Sequence, residues 1–217
     1  MDSTAPVWRT LAGVVPSPRA LAARLRSGLG PHPVPQSDLR TRGLLVEMNA
    51  SEEHRGRLRS ELPELAAVKD ALSGSWPDLL VLAVNETPPT DADTFLMMPH
   101  VDRRYAAEGF AHAMPERTTV VVLDFPEDGV GGELVAFDAG RLRQYSPDSR
   151  LGARAAVERA GGQLLPPIPG TAYELAGHLP HAVLGYETNR GTPWRMVVVI
   201  AEFGAAGLSQ IEWRRLG

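Results

Sequence analysis

Apolar residues recur at helical spacing in the first third of the chain and at strand spacing beyond residue 78, so the period of burial changes once along the sequence. Ser17-Pro18 followed by residues 19–29 predicts a helix, with a capping serine, a proline at the first helical position, and Gly28 and Gly30 to close it. Pro31-His32-Pro33-Val34-Pro35 reads as an extended linker and residues 43–48 as a short strand. A second helical region begins near Ser51-Glu52-Glu53 and runs to about Leu72. It is bent or divided at Pro63, where a backbone N–H is missing and the ring crowds the preceding turn. Strand candidates then follow at residues 79–85, 95–101, 118–125, 133–138, 171–176, 181–187 and 194–203. Helices first and strands afterwards predict a mainly β chain with α-helices packed outside a sheet sandwich or barrel, since a βαβ fold would alternate the two.

Composition narrows the chemistry more than the fold. At 217 residues the chain is expected to form one domain with a sizeable core, divided into a mostly helical region over 1–76 and a β core over 77–204. It contains no cysteine, which removes disulfides, thiolate metal sites and cysteine nucleophiles together. Any metal must then be held by histidine and carboxylate. A net charge of −4 with no long basic run argues against a nucleic-acid partner. The opening Met1-Asp2-Ser3-Thr4-Ala5-Pro6 lacks the charged start of a secretory signal, and no apolar run is long enough to span a bilayer. A cytoplasmic protein with no membrane partner is expected, its oligomeric state left open.

Two short strings carry the candidate chemistry. In Pro99-His100-Val101-Asp102, the histidine and the carboxylate are two apart in an extended chain, so they point to the same side and one metal can take both. In Leu179-Pro180-His181-Ala182-Val183, a second imidazole precedes a strand. Two histidines and one carboxylate on a single face of an ion leave the opposite positions open, an arrangement suited to non-haem Fe(II). His178 competes with His181, but His181 leads directly into the strand, whereas His178 follows Gly177 at a turn and reads as a polar surface residue. His32, His54 and His112 have no carboxylate at ligand spacing and read as surface residues.

From about residue 79 to 203 the chain resembles the Fe(II)- and 2-oxoglutarate-dependent oxygenases. The resemblance rests on four features in order: His100-Val101-Asp102 as the HxD motif, Gly131-Gly132-Glu133-Leu134 as a turn entering a mid-core strand, Pro169-Gly170-Thr171 leading through Tyr173 to His181, and Arg195. It implies a double-stranded β-helix, or jelly roll, and a triad of His100, Asp102 and His181 that binds Fe(II) and does the catalytic work. 2-Oxoglutarate and O2 are the implied co-substrates. Arg195, fourteen positions beyond His181, falls where the family grips the far carboxylate of 2-oxoglutarate. A guanidinium fork answers that buried charge with two parallel bonds. Family members add a polar side chain there, for which Thr119, Tyr173 and Asn85 are the candidates. Halogenating relatives carry Gly or Ala at the position of Asp102, so the carboxylate implies hydroxylation over halogenation, with desaturation and ring closure left open because they depend on substrate placement.

The substrate is less legible. Arg103, Arg104 and Tyr105 follow the HxD motif and Arg117 precedes the next strand. They suit a small carboxylate-bearing substrate, such as an amino acid or its derivative in secondary metabolism. Residues 141–165 contain a candidate helix over 149–160 and glycines at 161 and 162 that would let the segment close over the site as a lid. Two other readings stay open: a peptide or protein hydroxylase, which would need an open groove beside the metal, and a cupin-like metal-binding jelly roll, which would explain the triad and not Arg195.

Overall fold

The apolar run at residues 196–201 lies in the middle of an antiparallel sheet that packs on the core and forms one wall of the candidate site. A computed structural model describes residues 8–31, 41–72, 75–102, 104–105, 111–137, 152–191, 193–204 and 212–216. In chain order the elements are β1 (Trp8–Leu11), α1 (Pro18–Arg26), β2 (Gly30–Pro31), β3 (Arg42–Asn49), α2 (Glu52–Glu61), α3 (Pro63–Leu72), β4 (Leu79–Thr87) and β5 (Phe95–His100). They continue with β6 (Arg104–Tyr105), β7 (Ala111–Ala113), β8 (Arg117–Asp124), β9 (Val130–Gly131), β10 (Leu134–Ala136), α4 (Ala153–Arg159), β11 (Gln163–Leu165) and β12 (Ala172–Ala176). The last are β13 (His181–Leu184), β14 (Tyr186–Glu187), β15 (Arg195–Phe203) and β16 (Arg214–Leu216).

The larger sheet runs β1-β12-β8-β15-β4-β3-β16, with β2 also paired to β3, and the smaller runs β11-β10-β13-β5. Side chains on β15 alternate between two environments, as an extended strand requires. Met196, Val198 and Ile200 pack against Leu21 and Leu25 of α1 and Leu58 and Leu65 of α2 and α3. Val197 and Val199 turn the other way, toward Leu134, Ala136 and Val183 of the smaller sheet. The result is a double-stranded β-helix with helices on the outer face of the larger sheet, and the space between the sheets is where His181, Tyr173 and Leu175 lie.

Local chemistry explains the helix limits. The Ser51 hydroxyl accepts the His54 N–H, Glu52 and Glu53 occupy the first turn of α2, and Pro63 opens α3 at the position where its missing N–H costs nothing. The helical region is thus two helices. Ser17, by contrast, makes no side-chain cap, and α1 ends without a left-handed glycine, since neither Gly28 nor Gly30 has positive φ.

Several expectations are corrected. The short strand expected over 43–48 is eight residues long and sits inside the larger sheet between β4 and β16, so the first 76 residues supply sheet as well as helices. Gly30–Pro31 pairs with β3 where a linker was expected, and residues 32–40 lie outside the described set. The strand expected over 181–187 breaks at Gly185, and β13 and β14 join different sheets. A Cβ on Gly185 would lie 2.1 Å from the Asp91 carbonyl oxygen, an approach only glycine permits. Of the expected lid, residues 141–151 lie outside the described set. The remainder packs α4 on the outer face of the smaller sheet, with Ala153 and Val157 against Val135, Phe137, Ala182 and Leu184, away from the space between the sheets. His54 is buried beside the Trp213 ring, not at the surface, because α2 turns it toward the C-terminal strand.

The turn from β9 into β10 depends on Gly131, at φ +91°, whose added Cβ would lie 2.4 Å from the Gly185 carbonyl oxygen. Gly131→Ala is expected to lower unfolding free energy by about 1–3 kcal/mol or more. Urea denaturation checks this, and an unchanged midpoint would refute it.

Candidate metal centre

His100 closes β5 and His181 opens β13, and the two residues are direct antiparallel partners. β5 is the edge of its sheet, which is where a strand can tolerate Pro99. Each ring donates through Nδ1 to the carbonyl two residues before it, His100 to Met98 at 2.8 Å and His181 to Leu179 at 3.1 Å. Those bonds set the tautomer and leave both Nε2 atoms free as ligands. Asp102, just past the strand end, offers Oδ1 at 3.4 Å from Nε2 of His100 and Oδ2 at 3.6 Å from Nε2 of His181. Neighbouring ligands bound at about 2.1 Å and at right angles on one ion would lie about 3 Å apart, so small side-chain adjustments suffice. Among the described residues this is the one group of three that brings donor atoms within 4.8 Å of one another.

Electrostatics favour the ligating forms of Asp102 and His181 and act against that of His100. Burial works against charge on Asp102, but the His100 hydrogen bond, the nearby His181 imidazole and a 2.8 Å hydrogen bond from the Thr118 hydroxyl outweigh it and bring the carboxyl down to about 2. Burial lowers the pKa of His181 and keeps its ring neutral. For His100, burial also acts downward, yet the Asp102 and Met98 hydrogen bonds prevail and raise it. Thr118 was not singled out in the sequence, where Thr119 was. The register decides between them. Thr119 stands opposite Ile200, on the face turned to the helices, while Thr118 stands opposite Leu175 and faces the inter-sheet space.

Arg195 opens β15 on the same face as Val197. Its side chain is buried, no carboxylate pairs with its guanidinium among the described residues, and its Nε has no hydrogen-bond partner there. Burial pushes its pKa down to about 10, opposed by nearby Tyr186, so it remains a cation at neutral pH. Directly opposite is Thr87, whose Oγ1 is likewise buried without a partner, and two residues along the same face is Asn85, whose Oδ1 is too. Three orphaned polar atoms on one face of a β pair are costly unless a ligand completes them. Tyr173 faces the same space, but its hydroxyl donates to the Pro166 carbonyl at 2.5 Å. Asn85 and Arg195 are therefore brought together, with Thr87 added; Thr119 is on the other face.

The substrate arginines fare differently. Nε and Nη2 of Arg117 bond Glu202, and Nη1 lies 3.5 Å from Glu174, so every nitrogen of that guanidinium faces a carboxylate. A free anchor at Arg117 is thus corrected. Arg103 lies outside the described residues, and of Arg104 and Tyr105 only the backbone is described, as strand β6 paired with β7. His178 is exposed; His32 and the side chain of His112 are outside the described set.

No family model and no curated protein matches the chain by sequence. Among solved structures, a prolyl-4-hydroxylase from Pseudomonas putida aligns over 92% of this chain and 93% of its own, at 18% identity and a TM-score of 0.51. The two share one fold. A 2OG-Fe(II) oxygenase family oxidoreductase from Burkholderia pseudomallei aligns over 84% of this chain and 75% of its own (18%, TM-score 0.46). The non-heme alpha ketoglutarate dependent epimerase SnoN from nogalamycin biosynthesis aligns over 92% and 81% (18%, 0.46). The fold shared with the prolyl-4-hydroxylase spans nearly the whole of both chains. Among the described residues no helix is long and apolar enough to cross a membrane.

Two outcomes are expected at this centre. Thr118→Val removes the hydroxyl that orients Asp102, and should weaken Co(II) binding by about 10- to 100-fold in calorimetric titration, with the fold retained. Because a protonated imidazole cannot ligate and the His100 pKa is raised, Co(II) affinity should fall as pH drops from about 8 to about 6. Equal affinity across that range would contradict the assignment.

Proposed function

We propose that the protein is an Fe(II)- and 2-oxoglutarate-dependent dioxygenase that hydroxylates an unactivated C–H bond. The observation that carries this reading is the pairing of a two-histidine, one-carboxylate donor set with a buried, unpaired arginine in the same inter-sheet space. A metal site alone would suit a cupin-like protein, but such a site does not call for a guanidinium left without an acid. Bound Fe(II), supplied with 2-oxoglutarate and O2, provides the oxidising power to replace a C–H hydrogen by hydroxyl, with succinate and CO2 as co-products.

His100, Asp102 and His181 would hold the metal from one side, leaving the other side for co-substrates. The Met98 and Leu179 carbonyls and the Thr118 hydroxyl would keep the ligand atoms aimed at the metal. Arg195 would take the far carboxylate of 2-oxoglutarate as a two-pronged donor, and the Thr87 hydroxyl would donate beside it. Asn85, turned to present its amide N–H, is a third donor. The apolar walls, Val120, Val122, Val183 and Val197 among them, exclude water from that ion pair, which strengthens it.

For the substrate, a small carboxylate-bearing molecule such as an amino acid or derivative remains the reading, with Arg103 or Arg104 as its anchor now that Arg117 is committed to acids. A peptidyl side chain is the second reading, supported by the fold shared with a prolyl-4-hydroxylase over nearly all of both chains.

Anaerobic addition of 2-oxoglutarate to the Fe(II)-loaded protein should produce a visible charge-transfer band, and Arg195→Met should raise the 2-oxoglutarate concentration needed for it by at least about 100-fold. Lys at 195 should rescue only partly, because it offers a point charge in place of a fork. His181→Ala should abolish both the band and succinate release, whereas His178→Ala should leave both intact; the reverse would move the third ligand to His178. Succinate release with free and N-acylated amino acids, compared with proline-containing peptides, separates the two substrate classes. Absence of any 2-oxoglutarate-dependent band would refute the function.

A further inference from the structure

The peptide unit that joins Trp194 to Arg195 has both of its polar groups held by side chains. Its carbonyl accepts a 3.0 Å hydrogen bond from Nη2 of Arg26, in the last turn of α1. Its N–H donates at 3.0 Å to the hydroxyl of Tyr186 on β14, and that hydroxyl donates at 2.7 Å to the Thr87 carbonyl. Arg195 and Thr87 are directly opposite partners in the β15–β4 ladder. The Tyr186 oxygen therefore bridges the N–H of one strand and the C=O of the other at the residue pair that presents the unpaired guanidinium.

We propose that Tyr186 and Arg26 are positioning residues for Arg195, setting the direction from which its guanidinium meets the 2-oxoglutarate carboxylate; this rests on the function proposed above. Tyr186 suits the role because it cannot drift. Its side chain is fully buried, its ring lies 5.3 Å from that of Phe125, and its backbone pairs with Gly131. Burial pushes its phenol up to about 12, so it stays protonated and able to donate to Thr87 while accepting from Arg195. Arg26 is fixed by carboxylates: Nε meets Glu86 at 2.5 Å and Nη2 meets Asp124 at 2.7 Å, and both acids are buried. Glu86 in turn accepts from Arg42 at 3.2 Å. A guanidinium so held delivers the second N–H of its Nη2 to the Trp194 carbonyl in one direction only. The last turn of α1 thus fixes the peptide before the co-substrate arginine, and β14, five residues beyond His181, ties that peptide to the strand carrying the metal ligand.

The geometry explains why a bridge is useful. Inserting a hydroxyl between the Arg195 N–H and the Thr87 carbonyl keeps the two strands apart at this end while leaving no backbone group unpaired. Removing the hydroxyl either strands two buried backbone groups or lets the strands close and swing the Arg195 side chain.

The test is calorimetric titration of 2-oxoglutarate into the full-length Co(II)-loaded protein, with Co(II) affinity and thermal midpoint measured on the same variants. Tyr186→Phe should weaken 2-oxoglutarate binding about tenfold, the loss expected of a buried hydrogen bond, and leave Co(II) affinity within about twofold. In an Arg195→Met background, Tyr186→Phe should add no further loss, since the group it positions is gone; a merely structural role would add its penalty there as well. Arg26→Lys, which keeps the charge opposite Glu86 and gives up the fork, should weaken binding in the same non-additive way and serves if Tyr186→Phe does not fold. Wild-type affinity in both single variants, or additive losses on Arg195→Met, would overturn this inference alone. If Arg195→Met itself binds 2-oxoglutarate as the wild type does, the functional reading fails and carries this inference with it.

Discussion

Direct pairing of His100 with His181 across β5 and β13 is the constraint on which the rest of the centre depends. Two imidazoles opposite each other in an antiparallel pair must share a face, and their ring centroids lie 4.4 Å apart. Left to themselves, two such rings would repel if protonated. Asp102 resolves this by placing one oxygen toward each Nε2, and Thr118 from the other sheet holds the carboxylate in that position. The two sheets are thereby joined at the candidate metal centre by a polar contact as well as by apolar packing between Leu175, Val183 and Leu134.

The larger sheet has a second task. Its outer face packs on α1, α2 and α3, and its inner face carries Arg195, Thr87 and Asn85, so the helices stabilise the surface that presents the buried cation. A charged side chain in an apolar interior is tolerable only if its surroundings are rigid and its partner arrives with the ligand. Around Arg195 that rigidity comes from the paired carboxylates Glu86 and Asp124 on the opposite face, which neutralise Arg26 and Arg42 and leave the inner guanidinium alone. Charges of both signs are thus paired on the outer face of the sheet, and the inner face carries the unpaired cation.

At the rim, Lys69, Glu202, Arg117 and Glu174 form an alternating chain of ion pairs that runs from α3 to β12 and on to Arg9 of β1. It accounts for Arg117, which from its place in the sequence had looked available to a substrate. Arg117 is one position from Thr118, yet alternation turns it to the other face of β8.

Much of the centre was determined by the sequence alone. Spacing of two in an extended segment is enough to put His100 and Asp102 on one side, while a jelly roll with Arg195 inside was implied by the resemblance that the ordered motifs bear to the Fe(II)- and 2-oxoglutarate-dependent oxygenases. Pro63 divided the second helical region as the lost N–H requires. What sequence could not supply was register. Whether Thr118 or Thr119 faces Asp102 depends on which residue of β15 lies opposite, and a one-residue shift reverses every side chain. Thr87 and Tyr186 became legible only when β4, β14 and β15 met, because the bridge through the Tyr186 hydroxyl joins residues 87, 186 and 195, which no local pattern links. The role of residues 42–49 also waited on tertiary structure. A short apolar strand can lie at an edge or in the middle of a sheet, and only its pairing with β4 on one side and β16 on the other decided that it was internal.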